Sequence, residues 1–295
     1  MSKNTTVPLF FLLVSAVIWG YNFVATKILL GVFTPYVLAF YSTFGAAVIL
    51  SVIFKKGLLQ YSKTILIRTF FASLFGIFLF NSLVNYGMTQ ISPIDASLII
   101  ALVPLVSNIV DCIWLKNKLQ IINVVATLLS ISGVILLVTN GNFEFDHFNK
   151  GMLQGYFIMI LAVFSFVMYI TLGKQVMKSM KHTHYTTWCF IFGSVLLIIP
   201  AYFYGGIRSY NPLSFEHMLY LGFAIVFTGV IANSAYNYGV EKTNIVIASL
   251  FSNSIPIFTM LFSYLIFSED ITMAKLLAAI LVISGLILPS VKRKK

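Results

Sequence analysis

Walking from one cluster of charged or turn-forming residues to the next divides this chain into ten apolar runs, at 7–30, 36–54, 66–89, 94–115, 121–139, 152–173, 185–204, 218–240, 245–267 and 273–290. A helix that crosses a bilayer needs about 20 mainly apolar residues, so each run is predicted to be a transmembrane helix. Together the runs use up most of the chain, and the connections between them are too short to hold a soluble domain. Lys3 precedes the first run in the manner of a signal peptide. The run nevertheless continues to Lys27 with no small-x-small cleavage site, so it is read as the first helix.

Composition removes the alternatives. Of the 295 residues, 59% are AVILMFWYC and only 9% are charged, against roughly 25% charged in a soluble protein. A soluble globule is excluded, and the same hydrophobicity excludes a disordered chain. The net charge of +11 invites comparison with nucleic-acid binders, which carry their basic groups on a solvated face. A mean hydropathy of +0.96 leaves too little solvated surface to build one. Cys112 and Cys189 lie in apolar runs without metal-ligand spacing, so neither a disulfide framework nor a zinc site is indicated.

The basic residues instead report topology, because cytoplasmic loops carry an excess of Lys and Arg. With the N-terminus inside, 15 of the 19 basic residues fall on the cytoplasmic side and 4, Lys27, Lys150, Arg208 and Lys275, on the other. Both termini are therefore predicted to be cytoplasmic, in a multi-pass protein of the cell membrane whose surroundings are the lipid bilayer.

The chain also repeats itself. A shift of 152 residues aligns Asn85-Tyr86-Gly87 with Asn237-Tyr238-Gly239, Ala96-Ser97-Leu98 with Ala248-Ser249-Leu250, Pro104 with Pro256, and Ile131-Ser132-Gly133 with Ile283-Ser284-Gly285, without a gap. Two units are predicted, 1–140 and 151–291, with five helices each. An odd number of crossings inverts the second unit relative to the first. Inverted repeats recur in secondary transporters, whose substrate sites lie near the midplane between them.

The run Ala16-Val17-Ile18-Trp19-Gly20-Tyr21-Asn22-Phe23-Val24-Ala25-Thr26-Lys27, the stretch 96–104 with its counterpart 248–256, and the Ser-Gly pattern closing each half resemble the EamA-like family of the drug/metabolite transporter superfamily. The resemblance covers essentially the whole chain. It implies an all-α integral membrane protein of ten transmembrane helices in two inverted five-helix repeats, one that moves small metabolites and often exports amino acids or drugs. One departure is visible. Where the family often ends the fourth helix of each half with an acidic pair, the second half keeps Ser268-Glu269 and the first has Lys116-Asn117-Lys118.

Polar groups at membrane depth are costly and usually face the bundle interior, so they mark the lining. Ser97, Ala101, Pro104, Asn108 and Asp111 follow one another at helical spacing and form one small and polar stripe on the fourth helix. Ser249, Asn253, Pro256 and Ser263 occupy corresponding positions on the ninth. Each proline lacks an N–H and frees a carbonyl four residues earlier, which suits a bent helix beside a cavity; the alternative is a packing kink. Asn81 with Asn85 and Asn233 with Asn237 are repeat-related pairs, each on one helix face. Interhelical bonding is the expectation for Asn85 and Asn237, and Asn81 and Asn233 are candidate substrate contacts.

Trp19, Tyr21, Phe78, Phe166, Tyr169, Phe227 and Tyr236 are candidates for aromatic walls, led by Trp19 and Tyr169 on the first helices of the two units, with Asn22 beside Trp19. The substrate-binding set is thus Trp19, Asn22, Phe78, Asn81, Asn108, Tyr169, Phe227, Asn233 and Asn253, with Asp111, Pro104 and Pro256 in coupling or gating. Asp111 is read as the only carboxylate inside a predicted span, either paired with Lys116 or Lys118 or serving as a cation or proton site.

No His-Glu-x-x-His, nucleophile elbow, glycine-rich phosphate loop or paired intramembrane carboxylates occur, so an enzyme is disfavoured and no catalytic residue, metal or cofactor is assigned. The expectation is a secondary transporter, a monomer or homodimer without nucleic-acid partners. It exports an amino acid or amphipathic drug-like compound by alternating access, with a proton as the candidate coupling ion. The alternatives are a carrier of an organic cation such as a quaternary amine, held by cation–π contacts, and a channel.

Overall fold

The computed structural model describes residues 6–107, 110, 121–139, 150–205, 213–243, 248 and 251–292, and all regular structure among them is helical. We label the helices α1 (Thr6–Leu29), α2 (Pro35–Ile53), α3 (Lys63–Gly87), α4 (Pro93–Ser107), α5 (Ile121–Thr139), α6 (Lys150–Val176), α7 (His182–Phe203), α8 (Phe215–Lys242), α9 (Ile255–Phe267) and α10 (Met273–Lys292). Each overlaps one of the predicted apolar runs, and α9 begins well inside its run 245–267, after a turn at Asn253 and Ser254. Among the described residues α1, α2, α3, α6, α7 and α8 are long and apolar enough to cross a membrane. Helix is the form that hydrocarbon demands, since it satisfies its own backbone donors and acceptors.

Local chemistry sets several helix ends. Ser92 caps α4 by accepting from Asp95 N at 3.1 Å, with Pro93 at the first position, where its missing N–H costs nothing. Ser214 opens α8 in a capping box with His217. Ser268 ends α9 in the left-handed conformation, with φ 52°. The large apolar side chains on the outer faces, among them Val52, Ile199, Phe203 and Leu265, are exposed, as suits a belt that meets lipid rather than water.

Inside, the helices approach closely at small residues, the usual membrane packing device. Gly20 lets α1 meet α9, because a Cβ there would stand 3.2 Å from Ile255 O and against Phe258. Thr259 Oγ1 then donates to Gly20 O at 3.2 Å. Ser15 Oγ donates to Ala232 O at 3.0 Å and joins α1 to α8.

The internal repeat reappears as matched irregularities. Helix α3 contains a wide π turn at Leu74–Leu79 and α8 one at Ala224–Ala232, and the 152-residue shift carries the first inside the second. Helix α4 is interrupted at Ala101 and Leu102, and α9 is preceded by a turn at Asn253 and Ser254, which are the positions equivalent to them. Leu102 N donates to Ile99 O at 2.9 Å and Ser254 N to Phe251 O at 3.0 Å, again equivalent pairs. Each tightened turn lies just before Pro104 or Pro256, whose rings cannot continue an α-helical ladder.

Candidate functional site

The irregular turns surround a cavity of about 980 Å³, counting the space at its mouth. Helices of both units line it. Trp19, Phe23, Phe80, Phe166, Tyr169 and Phe190 supply rings; Asn22, Asn81, Asn85 and Asn233 supply amides; Thr26, Ser42, Thr43 and Thr228 supply hydroxyls. No charged side chain lines it among the described residues. An apolar concavity with a few convergent polar groups is the common form of a small-molecule site.

The polar groups are held by specific partners. Asn22 Oδ1 accepts from Thr228 Oγ1 at 2.9 Å, tying α1 to α8, while its Nδ2 donates to Thr26 Oγ1 at 3.3 Å. Asn81 Nδ2 donates to Ile77 O at 2.8 Å and Asn233 Nδ2 to Thr228 O at 2.7 Å. These carbonyls lie within the wide turns, so each repeat-related amide supplies a donor where the α-helical ladder is disturbed. Ser165 on α6 donates to Phe75 O at 2.7 Å and Ser73 donates to Cys189 O on α7 at 2.6 Å, which fixes the α3 turn between two neighbours. Gly76 permits this approach, because a Cβ at that position would collide with the Tyr169 ring.

One side of the cavity is closed by rings. Trp19 meets Phe166 edge-on at 6.0 Å and Tyr236 at 4.9 Å; Phe166 stacks on Tyr169 at 5.9 Å, and Tyr169 stacks on Tyr185 at 5.7 Å. Asn237 Nδ2 donates to Tyr169 OH at 2.8 Å and to Thr186 Oγ1 at 2.9 Å, so the ring layer carries a buried hydrogen-bond network.

Of the residues singled out from sequence, Trp19, Asn22, Asn81, Phe166, Tyr169 and Asn233 come together around this cavity. Phe78 and Phe227 do not line it. Phe227 is 46% exposed and stacks on Phe223 at 5.1 Å, because its place in the wide turn of α8 points it outward. Tyr21 packs instead with Phe223 and Phe262. Asn253 is buried in the turn before α9, apart from the lining, and its amide has no hydrogen-bond partner among the described residues. Pro104 and Pro256 are buried beside the interruptions, close in sequence to the lining residues Ile100 and Ile255. Asn108 and Asp111 lie outside the described residues.

Asn85, expected to serve packing, both lines the cavity and donates to Pro35 O at 3.1 Å. Phe80, Ser42 and Thr43 were missed. The adjacent hydroxyls of Ser42 and Thr43, inside an apolar run, were the available signal. The reading of Asp111 as the only carboxylate in a span is corrected: Asp95 also lies in the run 94–115 and is 6% exposed.

Residues 6–139 and 153–291 match the model of the EamA-like transporter family, and the chain belongs to that family, part of the drug/metabolite transporter superfamily. It is therefore a membrane transporter. It is 28% identical over 215 residues to the uncharacterized transporter YyaM of Bacillus subtilis, covering 73% of this chain and 70% of that one. It is 25% identical over 288 residues to an uncharacterized transporter of Archaeoglobus fulgidus, covering 96% of both. A solved structure described as a crystal structure of a protein shares the fold, with a TM-score of 0.69 at 16% identity over 100% of this chain and 99% of that one.

Proposed function

We propose that this transporter is a secondary carrier that exports a small neutral or zwitterionic metabolite, an amino acid or an amphipathic drug-like compound, across the cytoplasmic membrane by alternating access. The observation that carries the reading is the lining: ring faces and convergent amides with no charged side chain among the described residues, set among irregular turns that recur in both units. Such a site binds through stacking and hydrogen bonds and leaves no uncompensated charge to be desolvated. With both termini cytoplasmic, the cavity occupies the outer half of α1, α2 and α3 and the middle of α8, and the Tyr169, Tyr185 and Tyr236 layer lies on its cytoplasmic side.

A thermal-shift screen of the purified protein with amino acids, amines and nucleosides tests it, since a ligand that binds only the folded state raises apparent stability. The expected hits are neutral or zwitterionic. Hits confined to quaternary amines favour the organic-cation reading, which the ring-rich lining also supports through cation–π contact. Saturable counterflow of a hit in proteoliposomes separates a carrier from a channel.

A further inference from the structure

Away from the cavity, one buried carboxylate among the described residues has no part in the binding site. Asp95 stands in the first turn of α4, 6% exposed. Its Oδ2 accepts from Tyr156 OH of α6 at 3.1 Å, whereas Oδ1 is buried without a hydrogen-bond partner among the described residues. Lys275 of α10 is the nearest cation among the described residues, but its Nζ stays 3.9 Å from Oδ1 and donates instead to Glu269 Oε1 at 2.9 Å. Lys27 of α1 interacts electrostatically with both carboxylates. Helices α5 and α9, which also pack on α4, carry no charged residue. The cluster thus balances two ammonium groups against two carboxylates, and it joins α4 of the first unit to α6 and α10 of the second. The repeat shift pairs Asp95 with Ile247 in sequence, so the second unit has no matching acid.

We propose that Asp95 is a proton-binding site that couples the proton gradient to the packing of one unit against the other. A proton from water bonds to the unpartnered Oδ1 and converts the carboxylate to a neutral acid. Tyr156 continues to donate to Oδ2, and Lys275 remains with Glu269. The cluster gains one positive charge, and the attraction between Asp95 on α4 and Lys275 on α10 disappears. An electrostatic tie between the two units is therefore present when Asp95 is ionised and absent when it is protonated. As a coupling device this rests on the carrier reading; as a proton site it needs no substrate.

The test uses the purified full-length protein in lipid, with protons as the only probe, followed by pH-difference infrared spectroscopy. The wild type should give a titrating carbonyl band of a protonated carboxylic acid. Asp95→Asn should lose that band, and Glu269→Gln should keep it. Lys275→Met and Glu269→Gln remove charges of opposite sign and should move its midpoint in opposite directions, Lys275→Met to the alkaline side. Misfolding does not produce that opposition. Circular dichroism checks each variant, and if Asp95→Asn does not fold, the two opposed shifts decide the assignment.

A band that survives in folded Asp95→Asn overturns the proposal, as do shifts of the same sign. Replacing choline chloride by sodium chloride at fixed pH should leave the band unchanged. Its disappearance would assign Oδ1 to a metal cation instead. If Asp95 titrates as expected while the thermal-shift screen finds no ligand, the carrier reading fails and the proton site stands.

Discussion

Lys27 and Lys174 perform the same task in the two units. Lys27 Nζ donates to Met88 O at 2.7 Å and Ile91 O at 2.9 Å. Lys174 Nζ donates to Val240 O, to Glu241 O at 3.1 Å and to Thr243 O at 2.8 Å. The 152-residue shift carries Met88 onto Val240 and Ile91 onto Thr243, and the lysines themselves correspond when Trp19 is aligned with Phe166 and Asn22 with Tyr169. Each ammonium meets carbonyls at the end of a helix, where the helix dipole also favours positive charge. The first helix of each unit is thereby pinned to the end of its third.

Removing either ammonium takes those charge-assisted hydrogen bonds away. Lys27→Met and Lys174→Met should each cost about 1.5–3 kcal/mol, the range for hydrogen bonds to a charged group. Unfolding of the purified variants in detergent would register this as a lower melting temperature. A melting temperature equal to that of the wild type in either variant would deny that lysine a clamping role.

The 15-to-4 asymmetry of basic residues predicts the topology. A reporter fused after Lys295 should be cytoplasmic, and one inserted in the 140–150 loop should lie on the opposite side. Both reporters on one side would remove the five-plus-five arrangement.

The tightened turns before Pro104 and Pro256 predict that the bends serve transport. Pro104→Ala and Pro256→Ala restore a donor and allow a straighter helix. Both should reduce flux of an identified substrate well beyond any loss of folded protein. Loss of flux and of folded protein in proportion would reduce the bends to packing.

Position relative to the cavity predicts which side chains govern affinity. Trp19→Ala and Phe80→Ala should weaken binding of an identified substrate by about tenfold or more, from lost ring contact. Thr228→Val, which removes the hydroxyl holding Asn22, should cost about 1 kcal/mol. Phe227→Ala should leave affinity within about twofold, since such a change falls well below the cost of a lost contact. Isothermal titration ranks the four, and a large effect at Phe227 would relocate the site.

Repetition made much of this legible in advance. Asn81 and Asn233, or Pro104 and Pro256, stand out because a polar or imino residue recurs at equal spacing in apolar runs where chance offers few. Rings carry no such mark. In a chain that is 16% aromatic, Phe80 and Phe227 look alike, and only the extra residue accommodated in each wide turn decides which faces inward. Asp95 is inconspicuous in the sequence for another reason. It follows Ser92 and Pro93, a typical helix start, and acids in a first turn are ordinarily read as solvated caps; its burial depends on Tyr156 and Lys275, far away in sequence.

The charge-free lining also has an electrical consequence. Moving one elementary charge through a membrane potential involves about 2.3 kcal/mol per 100 mV. An empty cavity lined, among the described residues, by uncharged side chains alone contributes nothing to that work as it changes sides, so a zwitterionic cargo crosses without sensing the voltage and a cation carries its own full cost. Any further voltage dependence of turnover then has to originate outside the lining, and a proton taken up at Asp95 would supply a charge of that kind.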